Sequence, residues 1–336
     1  MNKKVTITDL ARKAGVSVTT VSQILNGKEK RFSDKTVEKV KQLQRDMGYV
    51  PDYNAQSLIK KNGRTIGIIV PDVGNPYYAK FLKGVQASAI RNNYMPLIFG
   101  TNNNLDVETQ YLTESIRRAA DGMIITAALS DLDYIDNLLN QNDLPYLLVN
   151  QDPLLVGDQI DVMDTEGGNL AAEKLVKSGH TKIALVTVKD PAANVVNRES
   201  GFKNGLLKYG IEISPENIIE AELSKEGGYE IAKDLLDLDI TAVFTINDEL
   251  ALGIYRGLKE AGKKIPDDIS VIGYDDIDLA TYMSPKLTTV HQPSFELGLK
   301  ATDLIIKRIN NKNLRPQKVI LPVTLMDRDS VKNIVK

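Results

Sequence analysis

Cysteine is absent from the 336 residues, which removes disulfide scaffolds, thiolate zinc sites and cysteine nucleophiles and suits a reducing compartment. Histidine is nearly absent. The two present, His180 and His291, are too few for a histidine metal cluster and read as structural. No apolar run reaches the ~18 residues that crossing a membrane requires. The first residues, Met1 to Thr6, lead into a polar, helix-like segment without the apolar stretch of a signal sequence. The expectation is a cytoplasmic protein. Also missing are a G-x-G-x-x-G after a strand, a G-x-x-x-x-G-K-[ST], an H-E-x-x-H and a G-x-S-x-G, so the common α/β enzyme signatures do not occur. Carboxylates are plentiful and a pair facing a cleft could do acid–base work, but no catalytic residue, cofactor or metal is indicated.

What the chain does have is a segregated charge. Residues 1–61 hold 13 Lys/Arg against 6 Asp/Glu, a net +7, and the remainder holds 29 against 38, a net −9. A basic head on an acidic body suggests nucleic-acid binding at the N-terminus, because phosphate neutralisation dominates that kind of affinity.

The head divides into short helical segments. Thr6 with Asp9 three residues on is a capping-box start, and Gly15 stops the first helix. Ser17 is a natural N-cap for a second helix from Val18 to about Leu25, with Val21, Ile24 and Leu25 facing inward and Asn26-Gly27 ending it. A third begins after Ser33, carries Val37, Val40, Leu43 and Met47 on one stripe, and ends at Gly48. Residues 50–62 are too polar to fold alone and too rich in helix formers for a flexible linker, so they read as a hinge.

Beyond Gly63 apolar runs of strand length alternate with amphipathic stretches: Thr65 to Val70, Tyr94 to Gly100, Met123 to Thr126, Tyr146 to Asn150, Lys182 to Val188, Ala242 to Ile246, Ile269 to Gly273 and Leu287 to Val290. This is the βαβ pattern of parallel sheets. About ten strands fit two doubly wound lobes better than one open sheet, with ligand expected in the cleft at the strands' carboxyl ends.

The segment from Thr6 to Ser22, TITDLARKAGVSVTTVS, resembles the N-terminal signature of the LacI/GalR repressors. The resemblance continues through Gly48-Tyr49-Val50-Pro51, Ala55-Gln56-Ser57-Leu58, Ile66 to Asp72 with Asn75-Pro76-Tyr77-Tyr78, Ser178-Gly179-His180, Asn247 to Gly253 and Ile272 to Asp276. It covers nearly the whole chain. It implies a helix-turn-helix head at 1–49, a hinge helix at 50–63, and a core like the periplasmic sugar-binding proteins. One lobe of that core takes 64–163 and 294–323, the other 164–293 and 324–336. It also implies a homodimer on a pseudo-palindromic double-stranded operator. With no leucine heptad tail after Arg328, a dimer and no higher state is expected.

For DNA reading, the resemblance carries Val18, Thr19 and Gln23 toward base edges. Glutamine pairs bidentately with adenine, and Val18 and the Thr19 methyl suit thymine methyls, so an A/T-bearing half-site is expected. Thr6, Ser17, Thr20, Ser22 and Asn26 suit phosphate contacts, with capping as their plainer use. Leu58 matches the family's minor-groove wedge. The segment Gly27 to Phe32 departs from the family by about one residue and is more basic; it reads equally as extra phosphate contacts or as a solvated loop.

For the effector, Tyr77 and Tyr78 resemble an aromatic pair that stacks on sugar rings, with Asp72 and Asn75 beside them. Arg198 matches an effector arginine whose planar fork can hold two hydroxyls. Asn247, Asp275 and Gln292 complete a ring suited to a polyol, while Leu223 stands where many relatives of the family carry an aromatic platform, and Thr126 and Asn150 stand at positions that vary between sugar classes. An Asp275 carboxylate favours a neutral sugar, ribose or another small monosaccharide, although Arg198 leaves a phosphorylated one open. The function implied is a sugar-responsive repressor of a carbohydrate-utilisation operon and not an enzyme. The alternatives are a global carbon regulator controlled by a sugar phosphate or partner protein and, more distantly, a cytoplasmic sugar-binding protein or an α/β enzyme.

Overall fold

A computed structural model describes residues 5–50, 63–102, 104–126, 132–151 and 157–335. The chain forms two compact units, Met1–Gly63 and Arg64–Lys336.

In the first unit, three helices are set by local capping. The first, α1 (Ile7–Ala14), opens on a reciprocal Thr6/Asp9 capping box and closes on Gly15 at φ 72, a left-handed backbone that glycine adopts without a Cβ penalty. The next, α2 (Val18–Leu25), is capped by Ser17, which accepts from the Thr20 amide at 3.0 Å. The third, α3 (Asp34–Asp46), is capped by Ser33. Leu10, Ala11, Ala14, Val21, Ile24, Val37 and Val40 are buried together, with Leu25, Leu43 and Met47 half-buried around them. Between α2 and α3 the basic segment forms a 3-10 turn, Glu29–Arg31. Lys28 N–H donates to the Gln23 carbonyl at 3.0 Å, and Lys41 pairs with Glu29 at 2.6 Å.

The second unit holds two six-stranded sheets. The strands, in chain order, are β1 (Thr65–Val70), β2 (Met95–Gly100), β3 (Gly122–Ile125), β4 (Tyr146–Val149), β5 (Asp158–Val162), β6 (Ile183–Thr187), β7 (Ile218–Glu220), β8 (Ala242–Thr245), β9 (Ser270–Asp275), β10 (Thr288–His291), β11 (Lys318–Leu321) and β12 (Thr324–Met326). The first sheet runs β11-β5-β4-β3-β1-β2 and the second β12-β10-β9-β8-β6-β7. Every pairing is parallel except β10 with β12. The chain therefore passes between sheets three times: after β5, after β10 and after β11.

Helices cover both sheets, as parallel strands buried on two faces require. On the first lie α4 (Pro76–Arg91), α5 (Leu105–Arg117), α6 (Leu132–Gln141) and α12 (Ser294–Asn310); on the second, α7 (Asp164–Lys177), α8 (Ala193–Leu207), α9 (Lys225–Glu230), α10 (Ala232–Leu236) and α11 (Asp248–Glu260). The pair α7 and α8 packs closely: a Cβ on Gly168 would stand 2.1 Å from the Arg198 carbonyl oxygen. Among the described residues no helix is long and apolar enough to cross a membrane.

Four strands lie outside the eight apolar runs set out above. The strand β5 reads DQIDV, with Asp158 paired to Arg308 and Asp161 to Lys318, while β7, β11 and β12 have three or four residues each and exposed positions. Short edge strands leave little apolar pattern to read.

Candidate functional site

The second unit has a cleft of about 170 Å³ where the carboxyl ends of both sheets meet. The first lobe contributes Asp72, Asn75, Tyr77, Tyr78, Thr126 and Asn150, and the second Arg198, Leu223, Asn247, Asp275 and Gln292. All eleven effector positions expected from the sequence thus lie on one wall system, each at or just past a strand end or on a following helix, as the doubly wound geometry favours.

Two of these residues have a structural and a chemical use at once. Asn75 caps α4, its Oδ1 accepting from the Tyr77 amide at 2.8 Å, and Asn247 caps α11, accepting from the Leu250 amide at 2.9 Å. With each oxygen committed, the NH2 groups remain as donors. The Tyr77 and Tyr78 rings meet edge to face, 5.1 Å between centroids at 80°. Asn150 donates to the Tyr77 hydroxyl at 3.1 Å. Burial raises both tyrosine hydroxyls well above their ordinary range, so they stay protonated and able to donate.

Arg198 is buried to 5% exposure and held on three sides. Its Nε donates to Asp164 Oδ1 at 2.7 Å, its Nη1 to the Ile246 carbonyl at 3.0 Å, and its plane lies 4.0 Å over the Tyr274 ring. Tyr274 Oη donates to the same Asp164 oxygen at 3.0 Å. Burial opposes the guanidinium's charge, but Asp164, Tyr274 and Asp275 more than offset it and its pKa stands above the ordinary value. Burial raises the Asp164 carboxyl, with Arg198 and Tyr274 pulling it back.

Asp275 ends β9 with φ 116, and Asp276 follows at φ 54. Left-handed backbone at two successive aspartates carries strain of a kind concentrated at ligand sites. Burial pushes the Asp275 carboxyl up to about 7, against the pull of Arg198 and of Gln292. Gln292 Nε2 donates to Asp275 Oδ1 at 2.6 Å. Gln292 Oε1 and Asn150 Oδ1, on two residues that line the cleft, are both buried with no hydrogen-bond partner among the described residues, a state that buried acceptors rarely keep without a ligand or water to satisfy them.

Four residues at or behind the cleft are not singled out in the sequence: Glu249, Lys225, Asp164 and Tyr274. Glu249 lines the cleft, and Lys225 reaches it at 3.4 Å. Asp164 and Tyr274 stand behind Arg198. Glu249 and Tyr274 fall inside the Asn247 to Gly253 and Ile272 to Asp276 segments and were legible as motif members only. The approach of Asp164 to Arg198 has no local signal, because 34 residues separate them.

In the head, Ser17, Val18 and Thr19 are exposed on the first turn of α2, and Thr20, Ser22, Gln23 and Asn26 are half-buried along it. Four of the polar ones already have partners: Ser17 and Thr20 hydroxyls lie 2.9 Å apart, and Asn26 Nδ2 donates to the Ser22 carbonyl at 2.7 Å. Thr6 Oγ1 donates to Asp9 Oδ2 at 2.6 Å, so its proton serves the cap. Leu58 and the hinge residues 51–62 lie outside the described residues.

Known proteins resemble this one along its length. Residues 6–52 match the bacterial regulatory proteins of the lacI family, and residues 172–331 match a periplasmic binding protein-like domain. The ribose operon repressor of Haemophilus influenzae is 34% identical, over 97% of this chain and 98% of the relative. A solved LacI family transcriptional regulator from Enterococcus faecium with bound ribose superposes with a TM-score of 0.75 at 38% identity, covering 81% of this chain and all of the other. The Lac repressor dimer bound to operator and an anti-inducer superposes with a TM-score of 0.88 at 26% identity, covering 98% of this chain and 100% of the other.

Proposed function

Because the chain belongs to the lacI family of bacterial regulatory proteins, we propose that it represses a carbohydrate-utilisation operon and is released from its operator by a small neutral sugar, ribose first among candidates. It is a DNA-binding transcriptional regulator with a sugar-binding type of core.

The observation that carries the ligand class is the cleft wall. Two buried amide oxygens without a hydrogen-bond partner among the described residues, Asn150 Oδ1 and Gln292 Oε1, belong to residues that line the cleft together with Tyr77, Tyr78, Asp275 and Arg198. A compact polyol supplies hydroxyl protons for the acceptors, oxygens for the guanidinium and a C–H face for the rings. The name of the Haemophilus relative and the ribose in the Enterococcus structure support the same class.

The operator reading assigns Val18, Thr19 and Gln23 to base edges, Thr6, Ser17, Thr20, Ser22 and Asn26 to phosphates, and Leu58 to a minor-groove wedge. The exposed helix face at the start of α2 supports it, as does the operator in the Lac repressor structure. Homodimerisation is supported by exposed apolar side chains, Ile90 and Met95 near the β2 edge and Tyr282, 83% exposed, in the second lobe. Sugar binding is read as a population shift between a DNA-competent and a released state, which requires a differential affinity of typically ~1–3 kcal/mol. No turnover is part of this reading.

Thermal unfolding against pentoses, hexoses, disaccharides and sugar phosphates tests the ligand class. Ligand at about 100 times its Kd stabilises by ~2.7 kcal/mol. A shift with ribose, and loss of operator binding in its presence, is the expected result; a shift confined to disaccharides, or conversion of the sugar to product, would overturn it.

A further inference from the structure

Arg198 is the one basic side chain among the described residues lining the cleft, where Asp72, Glu249 and Asp275 also stand. Lys225 offsets Glu249 from the rim at 3.4 Å. That leaves the single charge of Arg198 against two buried carboxylates: Asp275, 3.7 Å from Nη1, and Asp164, 2.7 Å from Nε. Asp164 does not line the cleft. It lies behind the arginine with its side chain 4% exposed, at the first position of α7, directly after the chain has passed between the sheets.

Resting on the reading of the cleft as a pentose site, we propose that Asp164 is the residue that sets its charge specificity. By gripping Arg198 on the Nε edge and offsetting its charge, it makes the guanidinium a fork for neutral hydroxyls and makes the cleft reject anionic sugars, sugar phosphates above all.

Three features fix this arrangement. The Tyr274 hydroxyl donates to the same Asp164 oxygen at 3.0 Å, so the carboxylate has two donors and cannot swing toward the ligand without breaking both bonds. The Tyr274 ring lies under the guanidinium at 4.0 Å, which holds its plane. The helices bearing Asp164 and Arg198 pack closely at Gly168, where a Cβ would stand 2.1 Å from the Arg198 carbonyl oxygen, so neither can move closer to the other. A buried arginine paired in this way offers directed N–H groups without net attraction for an anion, whereas an arginine freed of its partner attracts phosphate strongly. The remaining carboxylates, Asp72 and Asp275, repel one.

The test is calorimetric titration of the full-length protein with ribose and ribose 5-phosphate. The wild type should bind ribose at least roughly tenfold more tightly than the phosphate; tighter binding of ribose 5-phosphate would overturn the proposal. Asp164→Asn should weaken ribose and strengthen the phosphate, narrowing the ratio by roughly tenfold or more, with a phosphate affinity that falls as salt rises. A structural role alone would weaken both ligands together and leave the ratio unchanged, and that result would overturn the assignment. Should Asp164→Asn not fold, the double variant Asp164→Asn with Arg198→Gln replaces the ion pair by two amides. It should still prefer ribose, and a gain of phosphate binding by this uncharged pair would overturn the role of charge. A wild type that binds neither probe brings down the pentose reading itself, whereas ribose binding with an unaltered ratio in Asp164→Asn removes only Asp164.

Discussion

Gln292 donates through Nε2 to Asp275 Oδ1 across 2.6 Å, and this bond joins the end of β9 to the segment by which the chain leaves the second sheet for α12. A carboxylate that lines the cleft is thereby tied to a passage between the sheets. On the proposed reading, a sugar hydroxyl that competes for Asp275 alters a contact at that passage.

If a sugar meets Asp275, its binding should depend on pH. Burial pushes its carboxyl up to about 7 while Arg198 and Gln292 pull it down, and Asp164 and Glu249 add to the rise. A sugar hydroxyl donates to the charged form, so ribose affinity should increase as pH rises through about 7, by no more than ~10-fold per unit. In the unliganded protein the sign is reversed. The folded state keeps a proton that an unfolded aspartate loses near ~3.9, so this group's contribution to stability declines from about pH 4 to about pH 7. Calorimetry of ribose binding between about pH 5.5 and 8.5 should show the slope, and Asp275→Asn should bind weakly and without it. A wild-type affinity independent of pH would count against ligand contact with this carboxylate.

Gly168→Ala tests the α7–α8 contact. Its Cβ would lie 2.1 Å from the Arg198 carbonyl oxygen and 2.6 Å from the Phe202 amide nitrogen, both backbone atoms, so the helices must separate. Overpacking of this kind typically costs ~1–3 kcal/mol. Urea unfolding should give a lower midpoint at an unchanged slope, and ribose affinity should fall with it because Arg198 moves with its helix. A variant as stable as wild type would mean the pair can slide apart freely.

The capping box of α1 predicts a separation of stability from DNA contact at Thr6. Thr6→Ala removes a hydroxyl that both accepts from and donates to Asp9 and should cost about 0.5–2 kcal/mol of head stability. Thr6→Ser should restore it. Hydrogen exchange at the α1 amides reads this directly. Operator affinity lost in Thr6→Ser despite restored protection would mark a role for the threonine methyl in DNA contact rather than in the cap.

These cases show which parts of the molecule its sequence made legible. The head helices carry their own punctuation, Thr6 with Asp9, Ser17, Ser33 and Gly15, and capping is a local matter of three or four residues. The long apolar strands were readable for the same reason. Hidden were β5, whose Asp158 spends its polarity on an ion pair with Arg308 150 residues away, and β7, β11 and β12, too short to show a period. In the cleft the strand-end residues belonged to contiguous motifs, so Asn75, Asn247 and Asp275 could be named, whereas the grip of Asp164 on Arg198 exists only once α7 and α8 are packed.

The basic turn after α2 gives a last prediction. Lys28 N–H is bonded to the Gln23 carbonyl at 3.0 Å, and Glu29 is tied to Lys41 at 2.6 Å, so the turn is fixed to α2 on one side and to α3 on the other instead of hanging free as a loop. Lys30 and Arg31 are exposed beside it. If they grip phosphate, Lys30→Ala should weaken operator and random DNA alike and reduce the slope of log affinity against log salt by about 1. Gln23→Ala should act differently: it should leave that slope unchanged and lose about 1–3 kcal/mol of discrimination at one half-site position. Binding measured on both DNAs across a salt series separates the two. A Lys30→Ala variant with an unaltered slope would leave the turn as a solvated surface, and a Gln23→Ala variant with an unaltered operator-to-random ratio would remove Gln23 from base reading.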